Sequence, residues 1–319
     1  MTEPITKLSA LEHPESWNQG CAFIEGEFVP IADAKIPMLD FGFTRSDCTY
    51  DVVSVWNGHF FRLDDHLARF ARSCDRGRFT PPLSPEQMRS CLSECVRRTG
   101  LDSAYVEMLV TRGVPENGER DPRKVRNRFY AFAIPYVWIA SPEVQETGLS
   151  MVIARDTTRI EPGSVDPTMK NFHWGDLVRG LFEAYDRDAA NVVLLNSAGH
   201  VTEGPGFNLF AWIDGALWTP AHGVLEGITR ATVLELAAEQ RLPVRVTDFG
   251  PDRLRQAEEL FITSTAGGVM PVTQLDGLPV ANGLPGPVTL GLRRAYWDAH
   301  TDPRWSTPAA MHTMKGFRE

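Results

Sequence analysis

The chain has 319 residues, 43% apolar and 23% charged, a net charge of −9 and a pI near 5.4. Such a composition belongs to a folded globular protein, and the length suits two domains of about 150 residues each. The acidic balance, with no Lys/Arg block and no finger-like Cys/His spacing, speaks against nucleic acid as a partner, and no run approaches the ~20 apolar residues of a membrane span.

Residues 1–19 are polar and aperiodic and read as an arm without an apolar leader core. Cys21-Ala-Phe-Ile and Glu27-Phe-Val-Pro flank Glu25-Gly26, a short hairpin. Asn57-Gly58 joins a second one, between strands at 51–56 and 59–62. Leu63, His66, Leu67, Phe70 and Cys74 then recur at helical spacing. Ser84-Pro85-Glu86-Gln87 opens another helix: Ser84 caps, Pro85 suits the first turn and Gln87 completes a capping box. Strands at 104–111 and 128–137 follow, separated by a charged Gly/Pro loop at 114–127. Residues 139–148 have linker composition.

The second half carries strands near 150–154, 191–195, 208–213, 216–218 and 259–263. Helices are expected at 174–186, 229–240, 251–256 and 287–299. Strands and helices interleave without regular βαβ spacing, so a doubly wound sheet is not required. The fold class is α+β, with a small domain over 1–138, a linker over 139–148 and a large domain over 149–319. The five cysteines, Cys21, Cys48, Cys74, Cys91 and Cys95, are odd in number and form no CxxC. They point to reduced thiols and a cytoplasmic protein. Eight histidines show no metal-ligand spacing, so no metal site is expected.

Phosphate-loop, zinc-protease and serine-hydrolase motifs are missing, and Gly204-Pro-Gly206 lacks the third glycine of a dinucleotide loop. Four stretches remain. In Asp166-Pro-Thr-Met-Lys170-Asn-Phe-His-Trp174, a lone lysine sits among apolar neighbours that can desolvate it and lower its pKa for imine chemistry; alone it could equally be a solvated charge. In Thr202-Glu203-Gly204-Pro205-Gly206-Phe207-Asn208, a carboxylate precedes a glycine turn and is either a turn residue or a partner for a cationic ring nitrogen. Gly227-Ile228-Thr229-Arg230 starts a helix whose free N–H groups suit an anion, although every helix has such an end. Thr263-Ser-Thr265-Ala-Gly267-Gly268 offers hydroxyl and backbone donors after a strand.

The order of these four stretches resembles the fold type IV aminotransferases, the family of branched-chain and D-amino-acid aminotransferases and aminodeoxychorismate lyase. The resemblance spans residues 20–300. It implies pyridoxal 5'-phosphate as cofactor, Lys170 as the Schiff-base lysine, Glu203 as the pyridinium partner, and Ile228, Thr229 and Thr265 as phosphate donors. By the same resemblance the small domain supplies a phosphate-binding arginine, Arg78 or its neighbour Arg76, and the large domain has a β-barrel-like core. A homodimer is implied as well.

Ser46-Asp-Cys-Thr-Tyr50-Asp-Val52, Phe61-Arg-Leu-Asp-Asp-His66, Tyr105-Val-Glu107 and Lys170-Asn-Phe-His-Trp174-Gly-Asp are most similar to the (R)-selective amine transaminases. That likeness implies a substrate pocket lined by Tyr50, Val52, Tyr105, Glu107, Trp174 and Ala266. Arg45 stands where those enzymes usually have histidine, and Arg45 or a loop arginine (Arg120, Arg123 or Arg126) is expected to hold a carboxylate. The implied reaction moves an amino group between an (R)-amine or D-amino acid and a pyruvate-like keto acid in two half-reactions. A D-amino-acid or branched-chain aminotransferase proper, or a lyase using the same cofactor, stands as the alternative.

Overall fold

The computed structural model describes residues 19–309. Its first half contains β1 (Cys21–Ile24), β2 (Glu27–Pro30), α1 (Phe41–Arg45), β3 (Cys48–Trp56) and β4 (His59–Phe61), followed by α2 (Leu63–Gly77) and α3 (Pro85–Thr99). After these come β5 (Ala104–Thr111), β6 (Arg128–Pro135) and α4 (Pro142–Thr147). The second half begins with β7 (Leu149–Thr158), α5 (Gly175–Tyr185), β8 (Asn191–Leu195), β9 (Asn208–Ile213) and β10 (Ala216–Thr219). It continues with α6 (Ile228–Glu239), β11 (Val244–Val246), α7 (Pro251–Leu254), β12 (Glu259–Ser264) and β13 (Gly268–Leu275). The last elements are β14 (Leu278–Pro279), α8 (Pro287–Asp298) and β15 (Ser306–Pro308).

The first sheet has the order β15-β4-β3-β5-β6-β1-β2, and among its described pairs every one is antiparallel. Strand periodicity divides its residues between two faces. Val53 and Val55 of β3, Val106 and Met108 of β5 and Ala131 and Ala133 of β6 pack with α2 and α3 in one apolar core. The intervening residues face the other way. The capping box of α3 is present, with Gln87 N–H donating to Ser84 Oγ and Ser84 N–H to Gln87 Oε1. All five cysteines are free and buried, and Cys74, Cys91 and Cys95 belong to this core.

The second sheet runs β11-β10-β9-β12-β13-β7-β8 and curls into a half-barrel. Met151, Ile153, Leu209, Ala211, Leu260, Ile262 and Met270 fill its concave side. Helices α6 and α8 cover Phe210 and Phe261 on the opposite side, and α5 covers Val152, Val192 and Leu194.

The sequence hid two features. β13 contains Pro271 and begins at the second of two glycines, Gly267-Gly268, which reads as loop composition. The proline is tolerated because it precedes Val272, the first β13 residue paired with β7, so no ladder donor is lost on that side. β15 pairs with β4, returning the end of the described chain to the first sheet, a non-local pairing without a local signal. The segment read as a linker contains α4, capped by Ser141.

Candidate active site

The faces of β3, β5 and β6 turned away from the first core form one wall of a cavity of ≈ 610 Å³. Tyr50 and Val52 come from β3, Tyr105 and Glu107 from β5, and Phe132 and Ile134 from β6. The same alternation that buries Val53 and Val106 in the core therefore presents these side chains to the cavity. The second half supplies the rest of the wall: Lys170, Trp174, Glu203, Ile228, Thr229, Thr265 and Ala266.

Lys170 lies in the irregular segment between β7 and α5, yet its backbone is held by the first sheet. Its carbonyl accepts hydrogen bonds from Thr49 Oγ1 at 2.6 Å and from the Tyr50 N–H at 3.1 Å. Lys170 Nζ sits 4.4 Å from the centre of the Tyr50 ring, whose other contact is a stacked Phe172 at 4.3 Å.

Glu203 is 6% exposed, and each carboxylate oxygen has protein donors. Two nitrogens of the Arg159 guanidinium donate to Oε1, at 3.1 and 3.3 Å. The Leu225 N–H (2.8 Å) and Asn208 Nδ2 (3.3 Å) donate to Oε2. Arg159 is itself anchored by Asp176 at 2.6 Å. Burial pushes the Glu203 carboxyl upward; Arg159, the Leu225 N–H and Lys170 oppose that, and the net direction remains upward. Asn208 fits because residue 227 is glycine, since a side chain there would overlap Asn208 Oδ1.

Three groups suited to an anion line the same cavity. Helix α6 begins at Ile228 with Gly227 as N-cap and no side-chain cap, so its first N–H groups remain available. Arg69 of α2 lines the cavity and is bound in fork geometry to the fully buried Asp51, with Nε–Oδ2 and Nη2–Oδ1 both 2.8 Å. Burial drives the Asp51 carboxyl up, but Arg69 and His66 outweigh it and hold the group below the usual carboxylate range. Arg69 Nη1 donates to the Glu226 carbonyl at 3.1 Å, leaving two of the five guanidinium donors for a ligand. The turn at Thr265 and Ala266 is the third group. Beside it, Thr263 Oγ1 is buried in the cavity wall without a hydrogen-bond partner.

Glu107 is the remaining carboxylate. Burial raises it to about 7, Lys170 pulls the other way, and the Tyr105 hydroxyl donates to it at 3.3 Å.

A model of the amino-transferase class IV family matches residues 49–275. The chain belongs to the class IV aminotransferases. A Methanocaldococcus jannaschii protein provisionally named a branched-chain-amino-acid aminotransferase is 31% identical over 282 residues, covering 88% of this chain and 96% of that one. The D-alanine aminotransferase of Listeria monocytogenes is 28% identical over 286 residues, 86% and 93% of the two chains. Among solved structures, the T.th. branched-chain amino acid aminotransferase complexed with N-(5'-phosphopyridoxyl)-L-glutamate superposes with a TM-score of 0.83 at 29% identity. That match covers 91% of this chain and 98% of the other.

Within this class IV aminotransferase, the arginines expected at the site do not line the cavity. Arg78 caps the C-terminus of α2 with φ 52°, and its carbonyl accepts from Arg112; the arginine that reaches the cavity is Arg69, two and a half turns earlier on the buried face of α2. Arg76, the alternative, pairs with Asp166 on the surface. Arg45 is exposed at the end of α1, its guanidinium 3.5 Å from the Phe41 ring centre, and it does not line the cavity. Arg120 is exposed in the 114–127 loop, and neither it, Arg123 nor Arg126 reaches the cavity of this chain.

Sequence reasoning missed Arg69 and Arg159, and it gave no role of their own to Asn208 and Thr263, which stood in the stretches it singled out. Arg69 had a usable signal, being a charge three residues after His66 on the apolar stripe of an amphipathic helix. Arg159 had none, because only folding brings the end of β7 to Glu203. Among the described residues, no group of three His, Cys, Asp or Glu could hold a metal ion.

Proposed function

We propose that this class IV aminotransferase moves an amino group between an (R)-amine or D-amino acid and a pyruvate-like keto acid, with pyridoxal 5'-phosphate as cofactor. The cavity fits the group: it is lined by a lysine, a buried carboxylate, an uncapped helix N-terminus, a free guanidinium edge and the orphaned Thr263 hydroxyl. Its ≈ 610 Å³ leaves room for a substrate beside the cofactor.

Lys170 would hold the cofactor; Arg69, the N–H groups of Ile228 and Thr229, and Thr265 would receive its phosphate; and Glu203 would face its ring nitrogen. When bound, the cofactor supplies a conjugated ring that takes up the electron pair left when the donor's Cα–H bond breaks. Glu203 would keep a proton on the ring nitrogen, and Arg159 and Asn208 keep Glu203 oriented. Lys170 Nζ would remove the proton from the donor's Cα and, in the reverse half-reaction, return one to Cα. Trp174 and Tyr50 close the apolar side and limit water.

The observation that carries the amine reading is Glu107, a carboxylate buried in the cavity wall and within electrostatic reach of Lys170. Ionised, it disfavours a second carboxylate, while the arginines expected to clamp one lie outside the cavity. Donors lacking a carboxylate suit such a wall. The D-alanine aminotransferase relative favours the D-amino-acid reading instead.

Apolar side chains exposed on and before α1 (Met38, Leu39 and Phe43) support a second copy of the chain, which makes a homodimer part of this reading. Free cysteines throughout fit a cytoplasmic setting. Two domains joined through 139–148 would place the cavity at their junction. A panel of (R)- and (S)-amines and D- and L-amino acids, with pyruvate as acceptor, decides the donor class. Transfer from L-amino acids alone would overturn the (R)/D reading.

A further inference from the structure

Residues 136–139, which follow β6, run alongside the turn that links β12 to β13. The Tyr136 hydroxyl donates to the Thr265 carbonyl at 2.8 Å and accepts the Gly267 N–H at 3.2 Å. The Ile139 N–H donates to the Ala266 carbonyl at 2.9 Å. Inside the turn, Ala266 N–H donates to Ser264 Oγ at 3.2 Å, and the backbone passes through φ +139° at Gly267 and +71° at Gly268. A turn of that shape has little local reason to hold one conformation. Its template is the neighbouring segment.

The template is itself rigid. The Tyr136 ring lies 5.4 Å from Trp56 and 4.7 Å from Trp138, edge-on and tilted respectively. Trp297 of α8 closes the group, 4.8 Å from Trp56 and 5.8 Å from Trp138. These aromatic rings arrive from β3, from the segment after β6 and from α8, so the hydroxyl sits where both sheets meet. Burial pushes the Tyr136 phenol well above its usual range, which keeps its proton available for the Thr265 carbonyl. With both turn carbonyls engaged by 136–139, Thr265 and Ala266 line the cavity on their other side.

We propose that Tyr136 is a positioning residue: its hydroxyl sets the shape of the 265–267 turn so that Thr265 receives the oxygens of an anionic group. The chemistry recognised is a phosphate or carboxylate oxygen. Which ligand brings it rests on the aminotransferase reading above, as the cofactor's phosphate and the keto acid's carboxylate both qualify.

Tyr136→Phe keeps the aromatic packing and deletes two hydrogen bonds. The expected result is a rise of roughly tenfold in the cofactor dissociation constant (dilution of holoenzyme) or in KM for pyruvate, or in both. KM for an uncharged (R)-amine should not move, which separates positioning from a general loss of structure. A rise in the cofactor constant alone assigns the turn to phosphate, and a rise in KM for pyruvate alone assigns it to carboxylate. Unchanged values for both overturn the proposal. Hydrogen exchange on the parent protein tests the contact without a variant. The Gly267 N–H should exchange as slowly as amides inside β12, and rapid exchange would overturn the proposal even if Tyr136→Phe failed to fold. Failure of the aminotransferase reading would look different: the parent would take up no pyridoxal phosphate.

Discussion

Thr49 Oγ1 donates a hydrogen bond of 2.6 Å to the carbonyl of Lys170, 121 residues further along the chain. Thr49 is fully buried in the first sheet, whereas Lys170 belongs to an irregular segment between elements of the second half. The lysine's reach into the cavity is therefore set by a strand it does not belong to. Thr49→Val leaves that carbonyl with only the Tyr50 N–H, at a cost of about 1–3 kcal/mol if the lost partner is not replaced. A fall in kcat of roughly tenfold is expected, with Thr49→Ser close to the parent. Equal turnover in the parent and Thr49→Val would show that the bond does not hold the lysine.

Lys170 itself should carry the covalent link. Borohydride treatment of the holoenzyme should bleach the visible band and leave the phosphopyridoxyl group on the Lys170 peptide in a mass spectrum. Lys170→Ala should lose both the adduct and nearly all transfer. An adduct on another lysine would exclude this assignment.

Glu203→Gln keeps the shape but removes the charge that faces Arg159 and that is proposed to meet the cofactor's ring nitrogen. Cofactor should still bind, while kcat falls on the order of 10²-fold, the size of a positioned electrostatic contact. Near-normal kcat would reduce Glu203 to a turn residue.

Arg69→Ala and Arg78→Ala distinguish the observed cavity arginine from the one expected by motif. Loss of Arg69 should weaken cofactor binding by roughly 10- to 100-fold, as a charge-assisted contact is worth about 1.5–3 kcal/mol. Arg78→Ala should leave the dissociation constant unchanged, because that residue is exposed and does not line the cavity. The reverse pattern would restore Arg78 to the phosphate.

Glu107 predicts a pH dependence with a definite sign. Its carboxyl is raised from 4.5 to about 7, so the folded chain binds this proton more tightly than the unfolded chain. Its contribution to stability is complete below pH 4.5, declines as the pH rises and is lost above about 7. The decline amounts to about 3 kcal/mol. The difference in unfolding free energy between the cofactor-free parent and Glu107→Gln, followed from about pH 4.5 to 8, isolates it. A difference independent of pH would mean that Glu107 titrates normally.

The sequence alone determined most of the secondary structure and the order of the chemistry. Helical spacing marked the buried stripe of α2, whereas Tyr50, Val52, Tyr105 and Glu107 were implied by the family resemblance and share one face of β3 and β5 in the structure. Capping at Ser84 and the turn at Asn57-Gly58 were readable because they are local, each depending on residues within four positions. Lys170, Glu203, Thr229 and Thr265 were singled out by their order along the chain, which resembles the family's, and the structure brings all four to one cavity. Tertiary structure decided what local rules do not encode. Arg69 rather than Arg78 enters the cavity because α2 packs on Asp51, and Arg159 finds Glu203 only after β7 and β8 pair in parallel. Tyr136 meets Gly267, and Thr49 meets Lys170, because the two sheets close on one cavity. Such contacts join residues tens to more than a hundred positions apart, where periodicity carries no information and only the packing of whole elements sets the distance.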